Sequence, residues 1–435
     1  MIAISQPRLR QVLLEELTEA EWIGLCRRSA VPDPEVRRIA GAICEEVRNE
    51  GDRAMERMAA RYGGGYFPVT REELKRAAAE MPEVTAALEE ARDRIAAFHR
   101  PQIPSDTHRE DVRGIAITRR WSPLVRVGAY VPGGKAAYPS TVLMTVVPAK
   151  VAGVSEVVIA TPAGADGNVN RATLAACWVA GADEVWAMGG AGAVATLAYG
   201  TGLVKRVEKI VGPGSQWVTA AKLAVLGDCG IDLPAGPSEV LVLADHSAEP
   251  VLVAADLLCQ AEHGPDSPAV LVTTDPTLPS RVEEALEEQL ACLERREVLA
   301  EALSKHGMTV IAPDMTRALT FTNRYAAEHV SILTSDTETH AKAVTAAGSV
   351  YVGRWSAESA GDYATGANHV LPTGGLAACY GPLWVEDFGS WRQEQRLTRE
   401  GLADILPIIT RLADVEGFTA HRRAAELRFN TEGAA

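Results

Sequence analysis

"EVLVLADHSAEPVLVAADLLCQAEHGPDSPAVLVTTD", residues 239–275, holds two short, continuously apolar runs separated by an apolar helical stretch. Such runs, with no polar alternation, belong to strands buried on both faces. Joined through a helix they form a βαβ unit of a parallel sheet. The same pattern extends in both directions. Before it stand "RVGAYV" (126–131), "EVVIAT" (156–161), "DEVWAM" (183–188) and "RVEKIV" (206–211). After it come "MTVIAPD" (308–314), "VSILTSD" (330–336) and "SVYVGR" (349–354). Nine strands are many for one open sheet, so "GIDLPAGPSE" (230–239) reads as the crossover between two sheets. The expected class is α/β, with two parallel sheets.

The N-terminal third reads as helical. In "VPDPEVRRIAGAICEEVRNEGD" (31–52), Asp33 suits an N-cap and Pro34 the first helical position. Val36, Ile39, Ala40, Ile43 and Val47 then recur on one face, and Gly51 follows as a stop. Residues 71–100 continue as helix with a break at Pro82, and His99 is expected to pack or cap there. From about Trp384 the tail reads as helical and polar. No fixed repeat or low-complexity stretch occurs.

Composition excludes several classes. The 435 residues suffice for two or three domains, 47% of them hydrophobic and 23% charged. A formal net charge of −14 argues against a nucleic-acid partner, which needs a basic surface for phosphates. No apolar run is long enough for a membrane span, and the N-terminus lacks the apolar core of a signal peptide. The seven cysteines are scattered without a CxxC, the usage of reduced thiols in a cytoplasmic protein.

The quoted helix ends unusually. Gln260 and His263 stand three apart on one face and both offer lone pairs, and Gly264-Pro265 stops the helix behind them. A histidine there also suits a plain C-cap. Three other segments carry similar polar knots. Glu328-His329 precedes a strand; Asp362 and His369 fall in one Gly-rich loop, "SAESAGDYATGANHVLPTGG" (356–375); Glu416 and His421 lie in the tail. Together they make a metal site of N and O ligands, with a separate acid/base pair, a working candidate. "GAYVPGG" (128–134) and "AMGGAGAVATLAYGTG" (187–202) offer glycine-rich turns of the kind that admit a pyrophosphate. Neither matches G-x-G-x-x-G, and on spacing alone close helix-on-strand packing is the better account of the glycines.

In order along the chain, "AGPSEVLVLAD", "QAEHGPDSP", "RYAAEHV", "ESAGDYATGANHVLPTGG" and "FTAHRRAAELR" resemble the motifs of the histidinol dehydrogenase family. The resemblance covers nearly the whole chain. It implies an NAD-dependent, zinc-dependent oxidation of L-histidinol to L-histidine, the closing reaction of histidine biosynthesis. Two hydride transfers would pass through L-histidinal. It implies two incomplete Rossmann-like domains, 1–128 with 239–383 (with the N-terminal helices) and 129–238 (the cofactor side). A helical dimerisation tail, 384–435, would be exchanged in a homodimer. Carried over by motif, Gln260, His263, Asp362 and the other subunit's His421 would hold one zinc per subunit. Glu328 and His329 would be catalytic. Ser238, His369 and Glu416, with the zinc-side residues, would meet substrate. Tyr130, Gly192 and Ser215 would stand at the cofactor.

The chain departs from the family pattern in places. Gly192 replaces the glutamine of G-G-A-Q-A-I, and Ser215 the asparagine of G-P-G-N. Two shortened side chains predict weaker or repositioned NAD binding, not its absence. "YGPLWVEDFGSWRQEQRLTREGL" (380–402) also differs, which touches local substrate contacts. These changes leave two alternatives open, a dehydrogenase of another small alcohol such as sulfopropanediol and a metal-binding relative without cofactor.

Overall fold

The computed structural model describes residues 8–133 and 137–430. Gly134 to Ala136, part of one glycine-rich turn, lie outside the described residues. The strands in chain order are β1 Arg10–Leu13, β2 Phe67–Val69, β3 Thr107–Glu110, β4 Ile115–Pro123 and β5 Arg126–Tyr130. β6 Glu156–Thr161, β7 Glu184–Ala187, β8 Lys209–Val211, β9 Gly230–Ile231 and β10 Val240–Ala244 follow. β11 Ala269–Thr273, β12 Gly307–Ile311, β13 His329–Leu333, β14 Ser349–Val352 and β15 Gly389–Leu397 complete the set.

All nine expected strands form. Joined by β1, β2 and β9, which were not expected, they make up two six-stranded sheets, β1-β12-β11-β10-β13-β14 and β2-β7-β6-β5-β8-β9. Every pairing in them is parallel except β2 with β7. The first sheet explains its own sequence. Val240, Val242 and Ala244 of β10 face a core shared with Leu257, Leu286 and Leu303. Leu241 and Leu243 face an opposite core with Trp22, Phe321 and Tyr325. Side chains alternate across a strand, so a strand with both faces covered must be apolar throughout.

The chain forms two compact units. One contains the described residues up to Gln102 together with Leu124–Phe388, and so both six-stranded sheets. The other comprises Ile103–Pro123 and the chain from Gly389. It holds a third, antiparallel sheet, β15-β4-β3, followed by helices Arg399–Glu416 and Thr419–Asn430. The tail is thus not wholly helical from Trp384. Val385–Phe388 is a single 3₁₀ turn, and β15 pairs along its full length with β4. Its side chains are mostly exposed, so no apolar alternation marked it as a strand.

A second difference concerns the N-terminal helices. Asp33 caps the helix Pro34–Glu50 by accepting from the Glu35 N–H, and Gly51 ends it at φ 56°. Pro82 separates the helices Arg71–Glu80 and Pro82–His99. His99 is fully buried, its Nδ1 2.8 Å from the Ile95 carbonyl. These helices were expected with the first sheet, yet Ala40, Cys44, Val47 and Met55 share a core with Val158, Trp186 and Ala191 of the second. The expected boundary after residue 128 also falls inside β5. An apolar helical face shows that burial occurs, not against which partner. All seven cysteines are free. No helix among the described residues is long and apolar enough to cross a membrane.

Asp245 closes the far end of the first sheet. One oxygen accepts from the Ser247 N–H and hydroxyl at 2.9 and 2.5 Å, the other from those of Ser335 at 2.9 and 2.7 Å. Burial would raise its pKa, but these bonds win and hold it at about 2. A carboxyl below its unfolded value of about 3.9 stabilises the fold above about pH 4 and loses that contribution as pH falls towards 2. Asp245→Asn turns an N–H₂ towards one pair of donors. Denaturant titration should show a loss of about 2 kcal/mol at pH 7, shrinking towards zero as the buffer approaches pH 2.

Candidate active site

The first sheet places its chemistry at the amino ends of its strands. β13 pairs with β10 so that His329 stands opposite Val240, and with β14 so that His329 stands opposite Ser349. Glu239, just before β10, organises this edge. Its carbonyl lies 3.2 Å from both the backbone N and Nδ1 of His329, and its N–H donates to Glu328 Oε2 at 2.9 Å. Arg28 donates to the Glu239 carboxylate from Nε and a terminal nitrogen at 2.9 and 2.7 Å, and the Gly374 N–H adds a third bond at 3.0 Å. The chain reaches this edge through Ala326, the one non-glycine residue with positive φ among those described, at 49°.

A helix joining two parallel neighbours must carry the chain back to their amino ends. The helix Pro250–Ala261 between β10 and β11 therefore delivers Gln260 and His263 to the same edge. Asp362 arrives on a short helix, Glu358–Tyr363, and not in a loop as its glycine-rich context suggested. Glu358 lies one turn before it on the same face. Among the described residues His263, Glu358 and Asp362 bring ligand atoms within 4.8 Å of one another. Sequence reading missed Glu358; the i, i+4 spacing of the two acids was the available signal. Gly361 is required between them, because an added Cβ would meet the Tyr351 ring at 2.7 Å.

Several buried polar atoms here have no partner. Both amide atoms of Gln260, both carboxylate oxygens of Glu358 and His329 Nε2 make no hydrogen bond. Unmet groups of this kind are rare and point to a missing ligand. Burial raises the Asp362 carboxyl to about 6 and lifts Glu328 and Glu358 well above the usual range. It pushes His329 down to about 3 and His369 to about 4, so both rings are neutral at ordinary pH. His369 Nδ1 lies 3.0 Å from the Asp362 carbonyl. Hydrogen bonding with Ser238 helps the charged form of Glu328. The His263 nitrogen and the carboxylates of Glu358 and Asp362 form a donor set suited to zinc. Glu416 and His421 belong to the other compact unit, both exposed, with His421 stacked on Phe418.

The second sheet gathers its candidates at the opposite ends of its strands. From β5 the chain proceeds to β6 and β7 on one side, then returns to β8 on the other. That reversal is a switch point, where open α/β sheets receive ligands. Tyr130 ends β5, and Ser215 caps the helix after β8 without using its side chain. The Tyr130 hydroxyl accepts from the Gly190 N–H at 3.2 Å. Gly192, however, is enclosed, because a Cβ there would lie 2.8 Å from the Met55 sulfur and 3.1 Å from that of Met58. Methionine side chains fill the space into which a longer residue would project.

Residues 26–429 match the family model described as histidinol dehydrogenase. The chain is 41% identical over 423 residues to a histidinol dehydrogenase of Methanothermobacter thermautotrophicus, covering 96% of this chain and 99% of that one. It is 47% identical over 392 residues to one of Haloarcula marismortui, covering 89% and 92%. The crystal structure of histidinol dehydrogenase from Elizabethkingia anophelis superposes with a TM-score of 0.91 at 34% identity, over 97% of this chain and 98% of that one.

The enclosure of Gly192 generates a prediction. Gly192→Gln forces the buried Met55 from its position and should lower the melting temperature, because overpacking costs about 1–3 kcal/mol. Combining it with Met55→Ala opens the space. The double variant should be more stable than the sum of the single changes, with a coupling of about 1 kcal/mol in a denaturant double-mutant cycle.

Proposed function

The chain belongs to the histidinol dehydrogenase family, and from that premise we propose that it oxidises L-histidinol to L-histidine with NAD and zinc. The observation that carries this reading is His329, buried beside Glu328 with its Nε2 unpartnered. Its Nδ1 proton is donated to the Glu239 carbonyl, which leaves the lone pair on Nε2. A neutral imidazole so oriented is built to take the proton of an alcohol. His263 and His369 lie near enough to act on its charge, so the base shares a space with the candidate metal ligands.

Gln260, His263 and Asp362 would hold zinc, which when bound supplies a template for the amine and imidazole of the substrate. Tyr130 and Ser215 would line the place of NAD, the hydride acceptor, while Gly192 contributes only backbone. His329 would accept the alcohol proton in the first oxidation. Glu328, held by the Glu239 N–H, would draw a proton from the water that hydrates the aldehyde, preparing the second. Ser238 and His369 would orient the substrate, which the closed surroundings of Glu328 and His329 shield from bulk water.

Glu416 and His421 would complete the site from a partner's tail in a homodimer. Ile408, Leu412 and Val415, spaced as one face of a helix, are exposed along Arg399–Glu416, with exposed Phe418 just beyond it. A contiguous apolar stripe of this kind favours association.

Two measurements test the reading. Limiting L-histidinol with excess NAD⁺ should yield two NADH per substrate, and His329→Gln should lower kcat by about 10²–10⁴-fold. One NADH, or none, rejects the proposed reaction. If the site is shared, inactive His263→Ala and His421→Ala chains should regain activity when refolded together. Continued inactivity of a verified mixed dimer rejects the shared site.

A further inference from the structure

One buried ion pair lies outside the chemistry described above. Lys222, on the helix Gln216–Val225, and Asp232, just after β9, have side chains only 2% and 3% exposed. Besides meeting Asp232, the Lys222 ammonium donates to the Gly212 carbonyl at 3.0 Å and the Leu233 carbonyl at 3.2 Å, which uses all three of its N–H groups. The other oxygen of Asp232 accepts from the Gly212 N–H at 2.6 Å. The pair thus holds both backbone groups of Gly212, a residue at φ 102° where an added Cβ would lie 2.3 Å from the Tyr130 carbonyl. One turn earlier on the helix, the buried Thr219 hydroxyl donates to the Ala235 carbonyl at 2.7 Å. One helix therefore grips two segments. The first, 212–215, adjoins Tyr130 and ends at Ser215, the proposed place of the cofactor. The second, 233–236, runs from the carboxyl end of β9 towards the amino end of β10. It leads to Ser238 and to Glu239, whose backbone holds Glu328 and His329.

We propose that Lys222, with Asp232 and Thr219, is a positioning group that sets the cofactor loop against the segment that opens the substrate site. This rests on the functional reading above and deepens it. A buried ion pair adds little net stability over an apolar pair of the same volume, so stability does not account for it. Geometry does. Hydride passes only between atoms held about 3–3.5 Å apart. The residues that would carry the two reactants leave different sheets at opposite strand ends. Lys222 spans that division with backbone bonds on both sides. With the link cut, each reactant can still bind, but the distance between them is no longer fixed.

The test uses the full-length, zinc-loaded protein. Lys222→Met combined with Asp232→Leu removes both charges together, and Thr219→Val removes only the hydroxyl. Calorimetry with NAD⁺ alone should place the Kd of both variants within a few fold of wild type. First-turnover NADH formation at saturating L-histidinol and NAD⁺, followed by stopped flow, should fall about 10²-fold in the double variant and by less in Thr219→Val. Hydrogen exchange gives a readout without turnover. NAD⁺ should slow the amides of 233–241 as well as 212–216 in wild type, but only those of 212–216 in the double variant. First-turnover rates equal to wild type in the folded variants overturn the proposal. If the double variant does not fold, Thr219→Val decides by the same rule. A loss that saturating NAD⁺ repairs also overturns it, because the pair then only builds the cofactor site. So does exchange at 233–241 that ignores NAD⁺ in wild type. A wild type that forms no NADH overturns the functional reading and this one with it, whereas an active wild type with unaltered variants overturns this one alone.

Discussion

The arrangement of the site depends on the largely buried pair of Arg28 and Glu239. Arg28 clamps the Glu239 carboxylate with two bonds, donates a third to the Tyr325 carbonyl and lies 3.3 Å above the Tyr325 ring centroid. Glu239 is thereby fixed through its side chain, and all its backbone groups serve the site. Its N–H holds Glu328 and its carbonyl meets both the backbone and the ring of His329. A buried pair contributes little net stability against an apolar substitute, yet loss of one partner is costly. Its value here is geometric. It turns the start of a parallel strand into a bracket that sets a tautomer and anchors a carboxylate.

The two sheets use opposite ends. In the second, candidate residues cluster at the carboxyl ends, at the switch point between β5 and β8. In the first, the donors and the Glu328-His329 pair sit at the amino ends, where returning helices finish. One fold therefore provides two kinds of strand end. Helix N-termini and small residues suit a phosphate-bearing ligand. Helix C-termini, strand starts and buried acids suit a cation and a polar substrate.

Much of this was legible in the sequence, and the gaps have physical causes. The nine apolar strands announced themselves because both faces of each sheet are covered. Gln260, His263, Glu328, His329 and Asp362 stood out because such side chains seldom end apolar elements without reason. Glu358 did not, since it sits in a segment whose glycines and alanines suggest a loop, and nothing local in the sequence marks it as buried. β15 was hidden because its exposed side chains leave no alternation to read. Helix Pro34–Glu50 showed its apolar face plainly, but only folding reveals that the second sheet receives it. At Gly192 the sequence indicated a missing side chain. The structure adds that Met55 and Met58 occupy the space.

The three-stranded sheet has a consequence for biosynthesis. β4 leaves the ribosome early, but its full-length partner β15 emerges only after the whole of Leu124–Phe388 has been made. Until then β4 has β3 on one side and an open hydrogen-bonding edge on the other, the kind of edge that recruits stray strands. Closing so long a loop is slow, so the nascent chain carries this exposed edge through most of translation. The flanking charges help to bridge that interval. Arg119 and Arg120 on β4 repel other basic strands, and Arg120 is matched when Glu394 of β15 arrives to pair with it.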